Sequence, residues 1–318
     1  MPDESDQTLV RARDLRKRYG DFEAVRGVDF EIRRGEAFGF LGANGAGKST
    51  TMRMIGCVSE PTGGEIEVFG LDPRRDGTAI RARLGVVPQD NTLDTMLTVF
   101  ENLTVYAGYF GIKRRRAREL AAELLEFVQL SARADDKVDD LSGGMQRRLA
   151  IARSLINQPD LVILDEPTTG LDPQARHLVW ERLFQLKQRG VSILLTTHYM
   201  DEAEQLCDRL VVMDGGRIIA SGSPRELIDA HVTKEVVELR FNGVHTTGLA
   251  RIAAGLEGVG AQIEPLPDRI LVYTDDGDDT VAALGAREIE PSTVLTRRAT
   301  LEDVFLRLTG RALVEDEP

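Results

Sequence analysis

Hydrophobic and polar positions along the chain switch between a strand rhythm and a helix rhythm, and the switches mark out the elements. Residues 8–41 read as strands. Phe30 and Ile32 alternate with Asp29, Glu31 and Arg33, and Arg34-Gly35 turns the chain. Ala37-Phe-Gly-Phe-Leu41 is then an almost unbroken apolar run, as a strand buried on both faces requires. After a glycine-rich loop, Ser49 to Ile55 reads as a helix. Pro61-Thr-Gly-Gly64 makes a turn, and Glu65 to Phe69 alternates like a half-exposed strand. From about Thr98 to Asn157 the pattern is helical. Leu120, Leu124, Phe127 and Val128 share one face. Further on, Leu149, Ala152, Leu155 and Ile156 form a stripe with arginines opposite.

The strand rhythm returns in Leu161-Val-Ile-Leu164 and Val191-Ser-Ile-Leu-Leu195, with a helix expected from about Gln174 to Arg189 between them. Strand, helix, strand is the parallel crossover unit. Leu210–Met213 and Arg217–Ala220, joined through Asp-Gly-Gly216, read as a β-hairpin. Ser221-Gly-Ser-Pro224 ends the core, and a short helix closes near Ala230. The pattern predicts an α/β core over residues 8–230 with a helical subdomain, about 98–157, inserted into it. Residues 231–318 alternate short strand-like runs (Val236–Phe241, Arg269–Tyr273) with helix-like ones (Leu249–Leu256, Leu301–Leu308). They predict a small separate α/β domain.

Composition narrows the classes. The chain has 318 residues and a net charge of −12, which argues against nucleic acid as the main ligand. Lys113-Arg-Arg-Arg-Ala-Arg118 is a basic exception. It reads as a solvated helix start, or else as a contact for anionic lipid headgroups or an acidic partner loop. Cys57 and Cys207 have no ligand-like spacing, so neither a disulfide framework nor a zinc site is expected. The acidic N-terminus does not resemble a signal peptide, and no apolar run reaches the roughly 18–20 residues that span a bilayer. A cytoplasmic protein that meets a membrane only through a partner is expected.

The chemistry sits at strand ends. Gly42-Ala-Asn-Gly-Ala-Gly-Lys48-Ser49 matches a phosphate-binding loop between a buried strand and a helix. Converging backbone N–H groups and the helix N-terminus favour phosphate oxygens. Gly42, Asn44, Gly45, Gly47, Lys48, Ser49 and Thr50 are the candidate nucleotide-binding set. Lys48 is expected to reach the β and γ phosphates and Ser49 to ligate Mg²⁺. Asp165 and Glu166 follow a buried strand, Asp165 as a Mg²⁺ ligand and Glu166 as the group that polarises water. Gln89 and His198 each follow a core strand and could sense a γ-phosphate; a lone Gln or His is more often a structural surface residue. Tyr19 could stack on adenine or simply pack. Leu141-Ser-Gly-Gly-Met-Gln146 opens a helix with small residues and a hydroxyl, a second anion-binding device. One nucleotide needs only one such cradle from a chain, so the pair predicts a head-to-tail homodimer in which each copy covers the other's nucleotide.

These motifs, with Gly170-Leu-Asp172-Pro173, stand in an order and spacing that resembles the ATP-binding subunits of ABC transporters across about residues 8–230. The resemblance implies a P-loop NTPase (RecA-like) core with an antiparallel β subdomain and an inserted helical subdomain. It implies ATP and Mg²⁺ as ligands and ATP hydrolysis coupled to transport. It further implies that Tyr19 stacks on adenine and that Ser142, Gly143 and Gly144 contact the partner copy's γ-phosphate. Asp172 would link the two sites, His198 would contact the γ-phosphate, and Gln89 would sense Mg²⁺. Ala43 stands where many members have proline, and a backbone cradle needs no proline there. Residues 91–105 and Tyr109-Phe-Gly111 look like nodulation-factor-export ATPases, and Thr300 to Gly310 is similar to the tail of daunorubicin-resistance ATPases. Both serve ABC-2-type exporters, so a separately encoded permease is expected, with a drug, glycolipid or polysaccharide as cargo. The competing readings are a soluble ABC ATPase acting on ribosomes or DNA and a nucleotide sensor. The first usually carries two cassettes or a basic surface, and the second would lack the carboxylate that Glu166 provides.

Overall fold

The computed structural model describes residues 8–243, 246–287 and 289–310. Strands β1 (Thr8–Tyr19) and β2 (Phe22–Arg33) form a hairpin, and β3 (Ala37–Leu41) follows with all five residues buried. The phosphate loop leads into α1 (Lys48–Ile55). β4 (Gly63–Val68) then returns to pair antiparallel with β1, so the described strands of this sheet run β2-β1-β4. Helix α2 (Pro73–Arg81), capped by Asp72, precedes β5 (Leu84–Val87). The helical subdomain comprises α3 (Val99–Tyr109), α4 (Arg114–Phe127) and α5 (Gly143–Ser154). Thr98 and Glu101 close a capping box that starts α3. The chain then runs through β6 (Leu161–Asp165), α6 (Pro173–Gln188), β7 (Ser192–Thr197), α7 (Met200–Leu206), β8 (Arg209–Asp214) and β9 (Arg217–Gly222).

Among the described residues the core sheet has the order β5-β6-β7-β3-β8-β9, parallel throughout except for β9. Both faces of β3, β6 and β7 are covered, which is why their sequences are continuous rather than alternating apolar runs. Phe30 of β2 packs on Phe38 and Phe40 of β3, with the Phe30 and Phe40 rings edge to face at 5.1 Å. These aromatics join the hairpin sheet to the core sheet, each worth about 1.5–3 kcal/mol of burial.

The register sets the site. Val87 pairs with Leu164, Asp165 with Thr196 and Leu41 with Thr197. The chain segments leaving β3, β5, β6 and β7 therefore emerge side by side at the carboxyl edge, where open α/β sheets bind ligands.

The described residues fall into two compact units divided between Ser223 and Pro224. The second holds α8 (Pro224–His231), β10 (Glu235–Arg240), α9 (Thr246–Gly255), β11 (Gln262–Pro265), β12 (Ile270–Thr274), α10 (Gly277–Ala286), β13 (Thr293–Arg298) and α11 (Leu301–Thr309). Its antiparallel sheet runs β11-β12-β10-β13 in the described residues, over a core that includes Val237, Leu239, Leu256 and Val272. On the sheet's other side Arg297 donates to both oxygens of Asp303, at 2.7 and 2.9 Å, and to Glu238 at 2.6 Å. Helix α8, which the sequence pattern places at the end of the core, packs instead with α11 in this second unit.

Two details of the helical subdomain differ from the sequence pattern. Leu125, rather than Leu124, points into the core of α4. In α5 Arg147 and Arg148 are buried alongside the apolar stripe, not displayed opposite it.

Candidate active site

The phosphate loop takes its shape from close backbone packing. A Cβ on Gly42 would sit 2.3 Å from the Met213 carbonyl, and Gly47, at φ +102°, would place one 2.6 Å from the Ala24 carbonyl. Gly47 is also the N-cap of α1, and no side chain caps the helix there. Its first-turn N–H groups are therefore available to an anion. Asn44 and Gly45 are exposed at the loop crest, and Ser49 and Thr50 are half-buried behind it. Lys48 is only 4 % exposed. Its ammonium donates to the Gly42 carbonyl at 2.7 Å and the Ala43 carbonyl at 3.1 Å. Burial lowers its pKa, against the pull of Glu166 and Asp165.

β6 delivers the two carboxylates. Asp165 Oδ1 accepts from Ser49 Oγ at 3.1 Å and from Thr196 Oγ1 at 2.5 Å. A hydroxyl and a carboxylate in contact are hard oxygen donors that fit Mg²⁺, which binds through one or two carboxylates plus phosphates. No cluster of three His, Cys, Asp or Glu side chains suited to a metal occurs among the described residues.

Glu166 adopts the left-handed conformation, φ +46°, with its N–H held by the carbonyl and hydroxyl of Thr196. That turn aims its side chain into a cluster. Oε1 lies 3.3 Å from His198 Nδ1 and 4.0 Å from Lys48 Nζ. Oε2 accepts from Gln89 Nε2 and Thr169 Oγ1, each at 3.2 Å. The carboxyl is held below its ordinary pKa, first by His198 and then by Lys48 and Thr169, in spite of burial. It is the ionised form, able to receive a proton, that the surroundings stabilise.

The structure thus brings Lys48, Ser49, Gln89, Asp165, Glu166 and His198 together. Tyr19 stands apart on β1, half exposed, with the Lys17 ammonium 5.0 Å from its ring centre. Ser142 and Gly143 are exposed at the start of α5, where the Ser142 hydroxyl accepts from the Met145 N–H of its own helix. Asp172 likewise caps α6 through the Ala175 N–H at 2.9 Å. Gly144 lies against Ala175, so these two helix starts adjoin each other.

Sequence reasoning missed several members. Thr196 and Thr169 are ordinary-looking hydroxyls whose role depends on strand register. Arg147 is the larger omission. It is 5 % exposed, and its guanidinium donates to the carbonyls of Pro88, Gln89, Asp165, Glu166 and Pro167. Desolvation pulls its pKa down to about 10. The only sequence signal is an arginine within a helix that is apolar on most sides.

A phosphate loop and paired carboxylates on one edge of a parallel sheet, with a helical insertion beside them, define a P-loop ATPase of the cassette type. Residues 25–169 match the ABC transporter family model, and residues 249–310 match the C-terminal domain of nodulation factor export protein NodI. The chain is 46% identical over 301 residues to the Nod factor export ATP-binding protein I of Burkholderia orbicola, covering 95% of this chain and 97% of that protein. Its counterpart in Rhizobium etli is 44% identical over 306 residues, 96% of this chain and 95% of that one. Among solved structures, cbiO1 of Clostridium perfringens, part of an ABC transporter complex, aligns with a TM-score of 0.65 and 30% identity over 70% of this chain and 91% of that one. The dimeric post-hydrolysis cassette MJ0796 bound to ADP and Pi aligns with a TM-score of 0.61 and 29% identity, over 67% and 98%. The chain belongs to the ATP-binding subunits of ABC transporters, in the family of the Nod factor export ATP-binding proteins. It is an ATPase subunit of an exporter. No helix of the described residues is long and apolar enough to cross a membrane.

Proposed function

We infer that the protein hydrolyses ATP as a homodimer on the cytoplasmic face of a membrane, driving an ABC-2-type permease that exports an amphipathic glycolipid of the Nod-factor kind. The names of its relatives and the match of residues 249–310 support that cargo class. Gly42 to Thr50 wrap the phosphates, Lys48 neutralises their charge, and Tyr19 stacks on the base. Ser49, Asp165 and Gln89 hold Mg²⁺, which when bound draws off charge from the phosphate oxygens. Glu166 orients a water and takes its proton as the water oxygen bonds to the γ-phosphorus and the bond to the bridging β,γ oxygen breaks. ADP and phosphate leave. His198 steadies Glu166 and the γ-phosphate. Ser142, Gly143 and Gly144 of the second copy, with its Asp172, close the site.

One observation carries the dimeric reading. Lys48, Gln89 and His198 gather round Glu166, and Ser49 bonds the adjacent Asp165, while Ser142 and Gly143 stand exposed at another helix start. A hydrolysis site that needs both sets is completed by a second copy. Glu166→Gln tests this. It should bind Mg-ATP, lose roughly 10²–10⁴-fold in kcat, and run as a dimer in ATP by light scattering. A variant that stays monomeric at saturating ATP, alone and with its permease, would contradict the reading.

A further inference from the structure

Arg147 makes an unusual set of bonds. Among the described residues its buried guanidinium bonds no carboxylate and donates to five backbone carbonyls. Nε reaches Pro167 O at 2.8 Å. Nη1 reaches Pro88 O at 2.5 Å and Gln89 O at 3.3 Å. Nη2 reaches Asp165 O at 2.8 Å and Glu166 O at 3.1 Å. The acceptors come from the two segments that present Gln89 and Glu166, and those side chains bond each other across the site. The arginine belongs to α5, the helix that Ser142 caps. Neighbouring contacts run the same way. Asn91 donates to Gln146 at 3.2 Å, and Arg153 donates to the carbonyl and hydroxyl of Thr92.

Glu166 is also the one non-glycine residue in this cluster at positive φ, a conformation that persists only where its surroundings impose it. Arg147 binds the carbonyls on both sides of that residue and its own. A charged donor is worth about twice a neutral one, and a planar fork fixes direction as well as distance. We propose that Arg147 is a positioning residue for hydrolysis: it holds the strained turn at Glu166 and the Gln89 segment in mutual register, and so ties the alignment of the water-activating Glu166 with Gln89 to the placement of α5. The inference rests on Glu166 acting on water as described above. It makes α5 a mechanical part of its own chain's site as well as a cover for its partner's.

The test uses the full chain with Mg-ATP and four variants: Arg147→Met, Arg147→Lys, Glu166→Gln and the double variant Arg147→Met/Glu166→Gln. Arg147→Met should lower kcat by about 10²-fold with KM changed by less than about threefold, since the phosphate loop is untouched. Arg147→Lys keeps a charge but not the fork, and should recover part of kcat at unchanged ATP affinity. The double variant should be no slower than Glu166→Gln, because residues acting as one unit lose their effects non-additively. The overturning results are Arg147→Met within about twofold of the parent kcat, or losses that multiply in the double variant. A parallel collapse of ATP affinity and kcat would also overturn the proposal. If Arg147→Met does not fold, Arg147→Lys carries the comparison through its KM-against-kcat split and its own combination with Glu166→Gln. Full activity in Glu166→Gln would sink the reading of Glu166 itself. An inactive Glu166→Gln beside a fully active Arg147→Met would sink only the role of Arg147.

Discussion

Lys48, Ser49, Asp165 and Glu166 are legible in the sequence because each sits in a short contiguous motif that sterics and strand order make nearly self-explanatory. Arg147 is not, because its acceptors lie 18 to 59 residues away and are carbonyls, which every residue has. Glu202 poses the same difficulty from the other side. It is fully buried, and its Oε1 accepts from Thr168 at 2.8 Å and from the Trp180 indole at 3.2 Å. Burial raises its pKa in the folded chain, with the hydrogen bonds opposing. A carboxyl raised on folding costs nothing below the unfolded value and subtracts stability as pH climbs from there toward the folded value. Glu202→Gln keeps the Oε1 acceptor and removes that loss. The two proteins should therefore melt together below about pH 4. At neutral pH the variant should melt at a higher temperature than the parent. Trp180 is the chain's only tryptophan, so its fluorescence follows both the melt and the titration. A variant that melts lower at neutral pH than the parent would refute the assignment.

Helices α5 and α6 show what an element needs beyond its periodicity. Ser142 and Asp172 cap them, each accepting from a backbone N–H three residues on. Their packing is less visible. A methyl on Gly144 would lie 2.7 Å from the Ala175 Cβ, so Gly144→Ala should cost about 1–3 kcal/mol by overpacking. Ala175→Gly should cost about 0.5–1 kcal/mol from helix propensity. The double variant should be more stable than the sum of the two losses allows, as urea melts at matched m-values would show; strict additivity would mean the helices do not meet there. The buried parallel strands were readable as continuous apolar runs. Strands β11 and β13 were not. β11 is partly exposed along its length and ends on Pro265, and β13 is an edge strand with both faces largely open to solvent, so neither shows alternation. The second turn of ambiguity was α4, where Leu124 and Leu125 compete for one inward position and only packing decides.

At the scale of the whole molecule, each copy presents the Glu166 cluster at one sheet edge and the exposed Ser142 and Gly143 at the start of α5. Isologous pairing of two copies would serve both needs at once, each patch meeting the other. The most direct measurement mixes two inactive variants. Ser142→Arg spoils the helix start a copy lends, and Glu166→Gln spoils the carboxylate it keeps. A mixed dimer has one site with both defects and one with neither. Equal amounts, unfolded and refolded together or co-expressed, should therefore regain about a quarter of the parent's ATPase rate, half the dimers being mixed and half their sites intact. A mixture as inactive as either variant alone would show that both groups act on the same copy's nucleotide, and the two-chain site would fall.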